Sequence, residues 1–387
     1  RAVQHARDLG RPLLVFEALR CGYQWASDRL HTFVLQGMQD NQELFGRAGV
    51  TYLPYVEPEA GAGKGMLEAL TKRACCVVTD EFPCFFLPRM VAAAAERVDV
   101  QFEVVDSNGL LPMRAAEKVF ARAVDFRRFL QKNLAPHLGD FPAADPLRGY
   151  ALGAAVIPKN IEKNWPAATA AMLAADPEAL QPLPIDHDVA PVAMPGGPTA
   201  AGKRLRQFLS DRITRYQDRS QPDADAASGL SPYLHFGHIS GHQLFAGVAK
   251  HEQWSVAQIL PKQAGQRGWL GMSESAEGFL DQVVTWRELG FNFTSQRDDY
   301  AEFDSLPEWA RKTLGEHELD PRPYVYSIEE FDNSQTHDEL WNAAQRELRE
   351  TGVMQNYLRM LWGKKILHWS RSPREALAIM IELNNRY

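Results

Sequence analysis

The sequence predicts an α/β domain followed by an all-α domain. Three observations carry this reading. The first third alternates apolar runs of strand length with stretches at helical spacing. A long stretch after it is dense in Pro and Ala and weak in periodicity. Beyond it nearly every apolar pattern is helical, with no convincing strand up to residue 387. The expected organisation is an α/β domain over 1–125, a connector over 126–200 and a helical domain over 201–387. A chain of 387 residues suits two cores better than one.

The opening RAVQHARDLG reads as the middle of an amphipathic helix, not as a signal peptide, and LNNRY follows a helical pattern directly, so both ends read as cut. PLLVFEAL (12–19), VTYLPYV (50–56), CCVVTDEF (75–82) and VQFEVVD (100–106) are β-branched or aromatic runs of strand length. Helical spacing lies between them, at 28–45, 63–73 and 86–98. Continuously apolar strands separated by helices predict a doubly wound parallel sheet. Its ligand crevice is expected at the carboxyl ends of the strands. No Gly-x-Gly-x-x-Gly or P-loop follows any strand, and GAGKG (61–65) lacks both the spacer and the Lys-Ser/Thr ending that a phosphate loop needs. The connector is expected to be partly helical and to lie over the surface.

Hydrophobic residues at 45% and charged residues at 24% describe a globular protein. No apolar run approaches the ~20 residues of a membrane span. A net charge of −7 excludes a general polycation, so nucleic-acid binding would need a local basic face. The four cysteines have no metal-ligand spacing and read as reduced, buried thiols of a cytoplasmic protein; no metal site is expected.

Three segments carry candidate chemistry. Ser228-Gly229-Leu230-Ser231-Pro232 follows a basic helix. Small hydroxyl residues and a glycine at a helix start suit a pyrophosphate, while the plainer reading on composition is an ordinary N-cap with Pro at the first helical position. Gln282 and Trp286, four residues apart on a helix, share a face, with Arg287 and Glu288 following as a surface ion pair in the plainest reading. Trp341, Trp362 and Trp369 lie in the densest segment, the last two seven residues apart and hence about 10 Å apart along one helical face. Such indoles are plain core, or a path for single-electron hopping. Arg359, Lys364, Lys365, Arg371 and Arg374 supply local positive charge or a solvated face.

Together SGLSPYLHFGHIS, WRELGFNF with LPEWARKTL, THDELWNAAQ, and YLRMLWGKKILHWS with LNNRY resemble the photolyase/cryptochrome family, closest to its class II cyclobutane-dimer photolyases. The resemblance is specific through 200–387 and looser through the α/β half. It implies FAD in the helical domain, an antenna chromophore of deazaflavin type or none in the α/β domain, and UV-damaged DNA as partner of a cytoplasmic (in a bacterium, nucleoid-associated) monomer. Carried over, Tyr216, Ser228, Gly229, Leu230, Ser231, Arg287, Asn356, Arg359 and Asn384 would contact FAD, with Asn384 at its N5. Trp341, Trp362 and Trp369 match the class II relay that reduces the photoexcited flavin. Gln243, Gln282, Trp286 and Met360 match positions around a flipped lesion. The implied reaction passes one electron from excited reduced FAD to the dimer, whose ring splits before the electron returns.

The sequence departs from class II at three places. Gln282 stands where a glutamate is expected, so an amide replaces a proton donor; Gln243 stands for an arginine; and Met-Gln-Asn-Tyr (354–357) replaces Met-His-Gly-Tyr. These changes leave two other readings beside repair, a blue-light receptor without dimer repair and a photolyase of altered lesion specificity. A nucleotide-binding α/β protein with a helical interaction domain and no flavin is a further alternative.

Overall fold

A computed structural model describes residues 1–139, 141–260 and 265–387. The α/β half begins with helix α1 (Ala2–Leu9), closed by Gly10 in the left-handed region at φ 59°. Strands β1 (Leu14–Leu19), β2 (Thr51–Val56), β3 (Cys76–Asp80) and β4 (Gln101–Val105) alternate with helices α2 (Asp28–Arg47), α3 (Met66–Thr71) and α4 (Leu87–Ala95). All four strands and three helices fall where the apolar periodicity puts them. α2 starts at Ser27, whose side chain accepts from the Leu30 N–H, and its Phe33, Leu35 and Met38 are buried.

Pairing is parallel, β1 with β2 and β3 with β4, but among the described residues the two pairs do not join into one sheet. The alternation of strand and helix and the parallel pairing are those of the expected α/β domain, and Leu14, Phe16 and Ala18 of β1 and Cys76–Asp80 of β3 line an open cavity. The cysteines are also more exposed than expected. Only Cys21 is buried; Cys76 and Cys84 are half-buried, and Cys75 is exposed.

The connector does not simply lie over the surface. Helix α5 (Ala123–Asn133) sends Phe126 and Leu130 into the main core, followed by Leu134 and Leu138. There they meet Leu205, Phe208, Leu244, Phe245, Phe279 and Leu280 of the helical half. Further along, Leu173, Leu180 and Leu183 pack on Leu35 and Met38 of α2 and on Leu19 and Val56 of the strands. The expected surface stretch therefore supplies part of both cores.

The helical half includes α6 (Pro198–Gln207), α7 (Ser231–His235), α8 (Gly241–His251), α9 (Glu274–Leu280), α10 (Arg287–Ser295), α11 (Glu339–Thr351), α12 (Asn356–Trp369) and α13 (Pro373–Arg386), with the helices Glu308–Glu316 and Ile328–Asp332 between α10 and α11. A π-helical turn, Asp281–Trp286, joins α9 to α10. α11 starts at Asp338, which accepts from the Trp341 N–H, and ends at Gly352 with φ 68°. α13 starts at Ser372, which accepts from the Glu375 N–H, with Pro373 in the first turn. A second core holds Trp341, Trp362, Ile366, Trp369, Ile379 and Leu383 from α11, α12 and α13, together with Phe331 of the short helix Ile328–Asp332.

Candidate active site

Four stretches of the helical half turn one stripe each toward the open cavity. The α9–π-turn segment presents Phe279, Gln282, Val283 and Trp286; α12 presents Asn356, Arg359 and Trp362; α13 presents Leu377, Ile381 and Asn384; and residues 228–232 form the fourth wall. The spacings 356/359/362 and 377/381/384 are those of one helical face. The cavity, about 3580 Å³, continues between the two strand pairs, so the whole volume is larger than this site.

The polar groups of these stripes are mostly free to bind something else. Gln282, Asn356, Arg359 and Asn384 have no side-chain partner among the described residues, nor does the Ser231 hydroxyl. The helix at Ser231 has Leu230 as its N-cap and no side-chain cap bond, so the plain N-cap reading of Ser231 fails. Ser228 is partly engaged, accepting from the Leu230 N–H at 3.4 Å and passing its carbonyl to Arg204 Nε at 2.7 Å. Gly229 has φ 65°, and an added Cβ would run into the Arg204 guanidinium. Arg204 thus backs the 227–230 loop and holds its main chain toward the cavity.

Tyr216 is buried in the wall between Phe208 and Phe279, with the Arg219 guanidinium 4.6 Å from its ring. Burial pushes its phenol pKa up, and Arg219 opposes that. Arg287 also lines the cavity but is engaged with protein: it donates to the Asn108 carbonyl at 2.6 Å and stacks over Phe291 at 4.6 Å. Burial lowers its pKa, opposed by Glu288. Trp286 is exposed to the cavity, not core. Gln243 and Met360 are exposed and stand outside the cavity wall, so the structure does not bring them to the other candidates.

Of Trp341, Trp362 and Trp369, it is Trp362 that reaches the wall. Its Nε1–H donates to Gln345 Oε1 at 2.8 Å. Trp341 lies behind it at 6.5 Å between ring centroids, and Trp369 lies 6.1 Å beyond Trp341. The order is therefore Trp362, Trp341, Trp369, running from the cavity wall into the second core. Spacing on one helix alone had joined Trp362 to Trp369.

Sequence reasoning missed three supporting groups. Glu288 is no surface ion pair: it is buried and accepts from the Leu110 and Leu111 N–H groups at 2.7 and 3.2 Å. Gln355 caps α12 at Tyr357 and Leu358 and donates to the Arg219 carbonyl at 3.0 Å, tying two cavity walls together. Gln345 fixes Trp362. Only Gln345 had a signal, its place at the end of the THDELWNAAQ segment. The glycine loop at 61–65 is explained negatively: Glu57 accepts from the Gly61 and Gly63 N–H groups, which would repel a phosphate. Among the described residues there is no His/Cys/Asp/Glu cluster suited to a metal and no helix long and apolar enough to cross a membrane.

Comparison with known proteins accounts for this architecture. The chain is 29% identical over 388 residues to the deoxyribodipyrimidine photo-lyase of Methanothermobacter thermautotrophicus, covering 100% of this chain and 78% of that protein. It is 30% identical over 397 residues to the photo-lyase of Arabidopsis thaliana, covering 100% and 74%. Against that of Oryza sativa it is 32% identical over 372 residues, covering 92% and 66%. The fold superposes on a class III photolyase from Agrobacterium tumefaciens with a TM-score of 0.70 at 16% identity, covering 99% of this chain and 76% of the other. It superposes on the cryptochrome of Synechocystis with a TM-score of 0.66 at 17% identity, covering 100% and 79%. No family profile matches the chain. The structural likenesses bear on the fold alone, while these sequence relatives match 92–100% of its length: the chain belongs to the photolyase/cryptochrome family.

Proposed function

We propose that the chain is a class II-like photolyase that binds FAD in its helical half and uses light to split cyclobutane pyrimidine dimers in DNA. One observation carries the reading. The cavity wall combines amide, hydroxyl and guanidinium groups that have no side-chain partner among the described residues with an indole that opens a line of three tryptophans, the first two stacked and the third edge-on. Such a donor set fits a large polar heterocycle with an anionic tail, and the indole line fits a cofactor that exchanges single electrons.

FAD bound here would supply a light-excited one-electron donor. The chain's own residues do the rest. Ser228, Gly229, Leu230 and Ser231 would hold the phosphates, with Tyr216 behind them; Arg359 would lie beside the ring system, and Asn384 would set which protonation state is preferred near it. Asn356 would add an amide at the same wall, and Arg287 would anchor that wall to the α/β half. Trp369, Trp341 and Trp362 would pass an electron, in that order, toward the cavity. Gln282 and Trp286 would meet the lesion base, Gln282 as hydrogen-bond donor and Trp286 as its apolar wall. A dimer stacks and pairs poorly, so turning it out of the duplex costs little. Arg and Lys side chains would hold the DNA phosphates and make binding salt-dependent.

The test is loss of cyclobutane dimers from a UV-damaged oligonucleotide treated with the reduced protein, under blue light and in the dark. Light-dependent loss is expected. No loss from a yellow, photoreducible sample would overturn repair. It would favour the second reading, a photoreceptor or a photolyase for another lesion, which the amide at Gln282 supports.

A further inference from the structure

The last turn of α13 is tied to the α/β half. One face of the helix puts Ile379 and Leu383 into the second core, and another presents Ile381 and Asn384 to the cavity. The third face carries the anchors. Glu382 accepts from the Trp25 Nε1–H at 3.0 Å, Arg386 Nη2 donates to Asp186 at 2.9 Å, and the Tyr387 carbonyl accepts from Arg29 Nη1 at 3.1 Å. All three lead to one short stretch, residues 25–29. Trp25 and Arg29 belong to it, and Asp186 is joined to it by main-chain bonds with Ala26 and Asp28. From the helical half, Asp332 takes the Tyr387 hydroxyl and a second Arg386 bond. Arg29 is the centre of the stretch. It is buried, and its side chain donates to four main-chain carbonyls: Ala190 at 3.1 Å, Leu348 at 3.2 Å, Tyr387 at 3.1 Å, and Arg349. It has no carboxylate partner among the described residues. Leu348 and Arg349 lie in the last turn of α11, whose carbonyls carry partial negative charge and favour a cation there. A planar guanidinium fixes direction as well as distance, so it sets the ends of α11 and α13 relative to α2.

We propose, on the flavin reading given above, that Arg29 is a positioning residue for the cofactor cavity: it fixes where Asn384 stands in the wall and hence which flavin protonation state is favoured. Asn384 lies three residues before the Tyr387 carbonyl, within one helical turn of it, and between the anchored residues Glu382 and Arg386. Its own side chain has no partner among the described residues, so its place follows from the main chain that carries it. A hydrogen bond from such an amide weakens steeply as its angle and distance depart from the optimum. A change at Arg29, on the α/β side, is therefore read at the cavity wall of the helical half.

The experiment compares the wild type with R29M, R29K, W25F, N384A and R47M. Two quantities are read: amide hydrogen exchange across 376–387, with and without flavin, and the absorption spectrum after brief photoreduction at fixed pH. The spectrum separates the protonated from the deprotonated form of the one-electron-reduced flavin. R29M removes every donor, and exchange in the last turn of α13 should rise at least ~tenfold. The ratio of the two flavin forms should move at least ~threefold, in the direction in which N384A moves it. R29K, with three N–H groups for four carbonyls, should fall between R29M and the wild type. W25F keeps a ring and loses the bond to Glu382, so it should give a smaller change of the same sign. R29K and W25F carry the test if R29M does not fold. R47M, at the far end of α2 in an exposed pair with Glu43, should match the wild type. Faster exchange with an unmoved flavin ratio would make Arg29 a structural residue only and overturn the proposal alone, as would unchanged exchange. A ratio unmoved in N384A removes the Asn384 assignment, and a wild type that binds no flavin removes the flavin reading; the proposal falls with either.

Discussion

The indoles of Trp341 and Trp362 lie 2° from parallel with centroids 6.5 Å apart, and Trp341 Nε1–H donates to the Trp362 carbonyl at 3.2 Å. The same Trp341 ring meets Trp369 edge-on at 6.1 Å, so the residue from α11 bridges two residues of α12. Both helices are capped where they approach, α11 by Asp338 and α12 by Gln355. Their registry is therefore fixed by the bond from Trp341 to the Trp362 carbonyl as well as by packing.

Trp341→Phe should interrupt this line at its middle. Flavin photoreduction under blue light should slow at least tenfold, and Trp362→Phe or Trp369→Phe should do the same while FAD stays bound. Each truncates a buried indole and should cost about 1–3 kcal/mol of stability. Flavin absorbance and thermal melts separate that cost from the kinetic effect. Unchanged photoreduction in all three would remove the relay assignment.

Arg359→Ala tests the cofactor wall with little structural side effect. Its guanidinium has no hydrogen-bonding or ionic partner among the described residues. The melting behaviour of the flavin-free protein should therefore change by no more than ~0.5 kcal/mol. The purified variant should come out pale, with flavin-to-protein ratio well below the wild type. Full flavin occupancy would make Arg359 peripheral.

Strand and helix positions in the α/β half were legible because each apolar run is bounded by turn residues and the periods differ, 2 against 3.6. The candidate cavity residues were legible by resemblance, and three of their stripes also follow helical spacing. What failed did so for tertiary reasons. Glu288 follows Arg287 and looks like half of a surface pair, yet α10 lies against segment 108–120. Glu288 accepts from two main-chain N–H groups there, Asn292 Oδ1 accepts from Phe120 N–H, and Asn292 Nδ2 donates to Lys118 O. Gly109 permits the approach, since an added Cβ would stand 2.6 Å from the Glu288 carboxyl carbon. Similarly, α5 looked like linker because the core it completes comes from residues 80–150 positions later. Nothing local to the sequence marks such partners.

Stability should peak near the ordinary histidine pKa, with limbs set by opposite shifts. Burial lowers His31 and His238 from 6.5 to about 4, and His238 Nδ1 accepts from the Gly197 N–H at 2.9 Å, as a neutral ring must. Between about 4 and 6.5 the unfolded chain binds more protons at these sites, so stability falls as pH drops through that window. Burial raises Glu288 from 4.5 to about 8, opposed by its two main-chain bonds. There the folded state binds more protons, so stability falls as pH rises toward about 8. Denaturant midpoints across pH should trace both limbs. Glu288→Gln should flatten the alkaline limb, at a cost of about 1–3 kcal/mol because one amide oxygen cannot accept both N–H groups. An unaltered alkaline limb in that variant would assign it to another group.

Gln282→Glu tests what the amide does at the lesion wall. Gln282 is half-buried, has no side-chain partner among the described residues, and is flanked by Val283 and Trp286. The neighbouring Asp281 carboxylate is held by Arg127 at 2.8 Å and Arg267 at 3.1 Å, so its charge is matched and it does not compete for the same space. A glutamate placed at 282 would sit among apolar walls, which favour the protonated form. It would then offer both a hydrogen bond and a transferable proton, where glutamine offers only the first. Dimer repair per absorbed photon should rise at least threefold over the wild type, and the gain should shrink as pH rises past the new carboxyl's pKa. Flavin content and photoreduction should not change, because the substitution leaves the phosphate loop, Arg359 and the three tryptophans untouched. A variant that keeps its flavin and photoreduces normally, yet repairs no better than the wild type, would show that a missing proton donor does not limit the reaction. The altered-photolyase reading would then lose its main support.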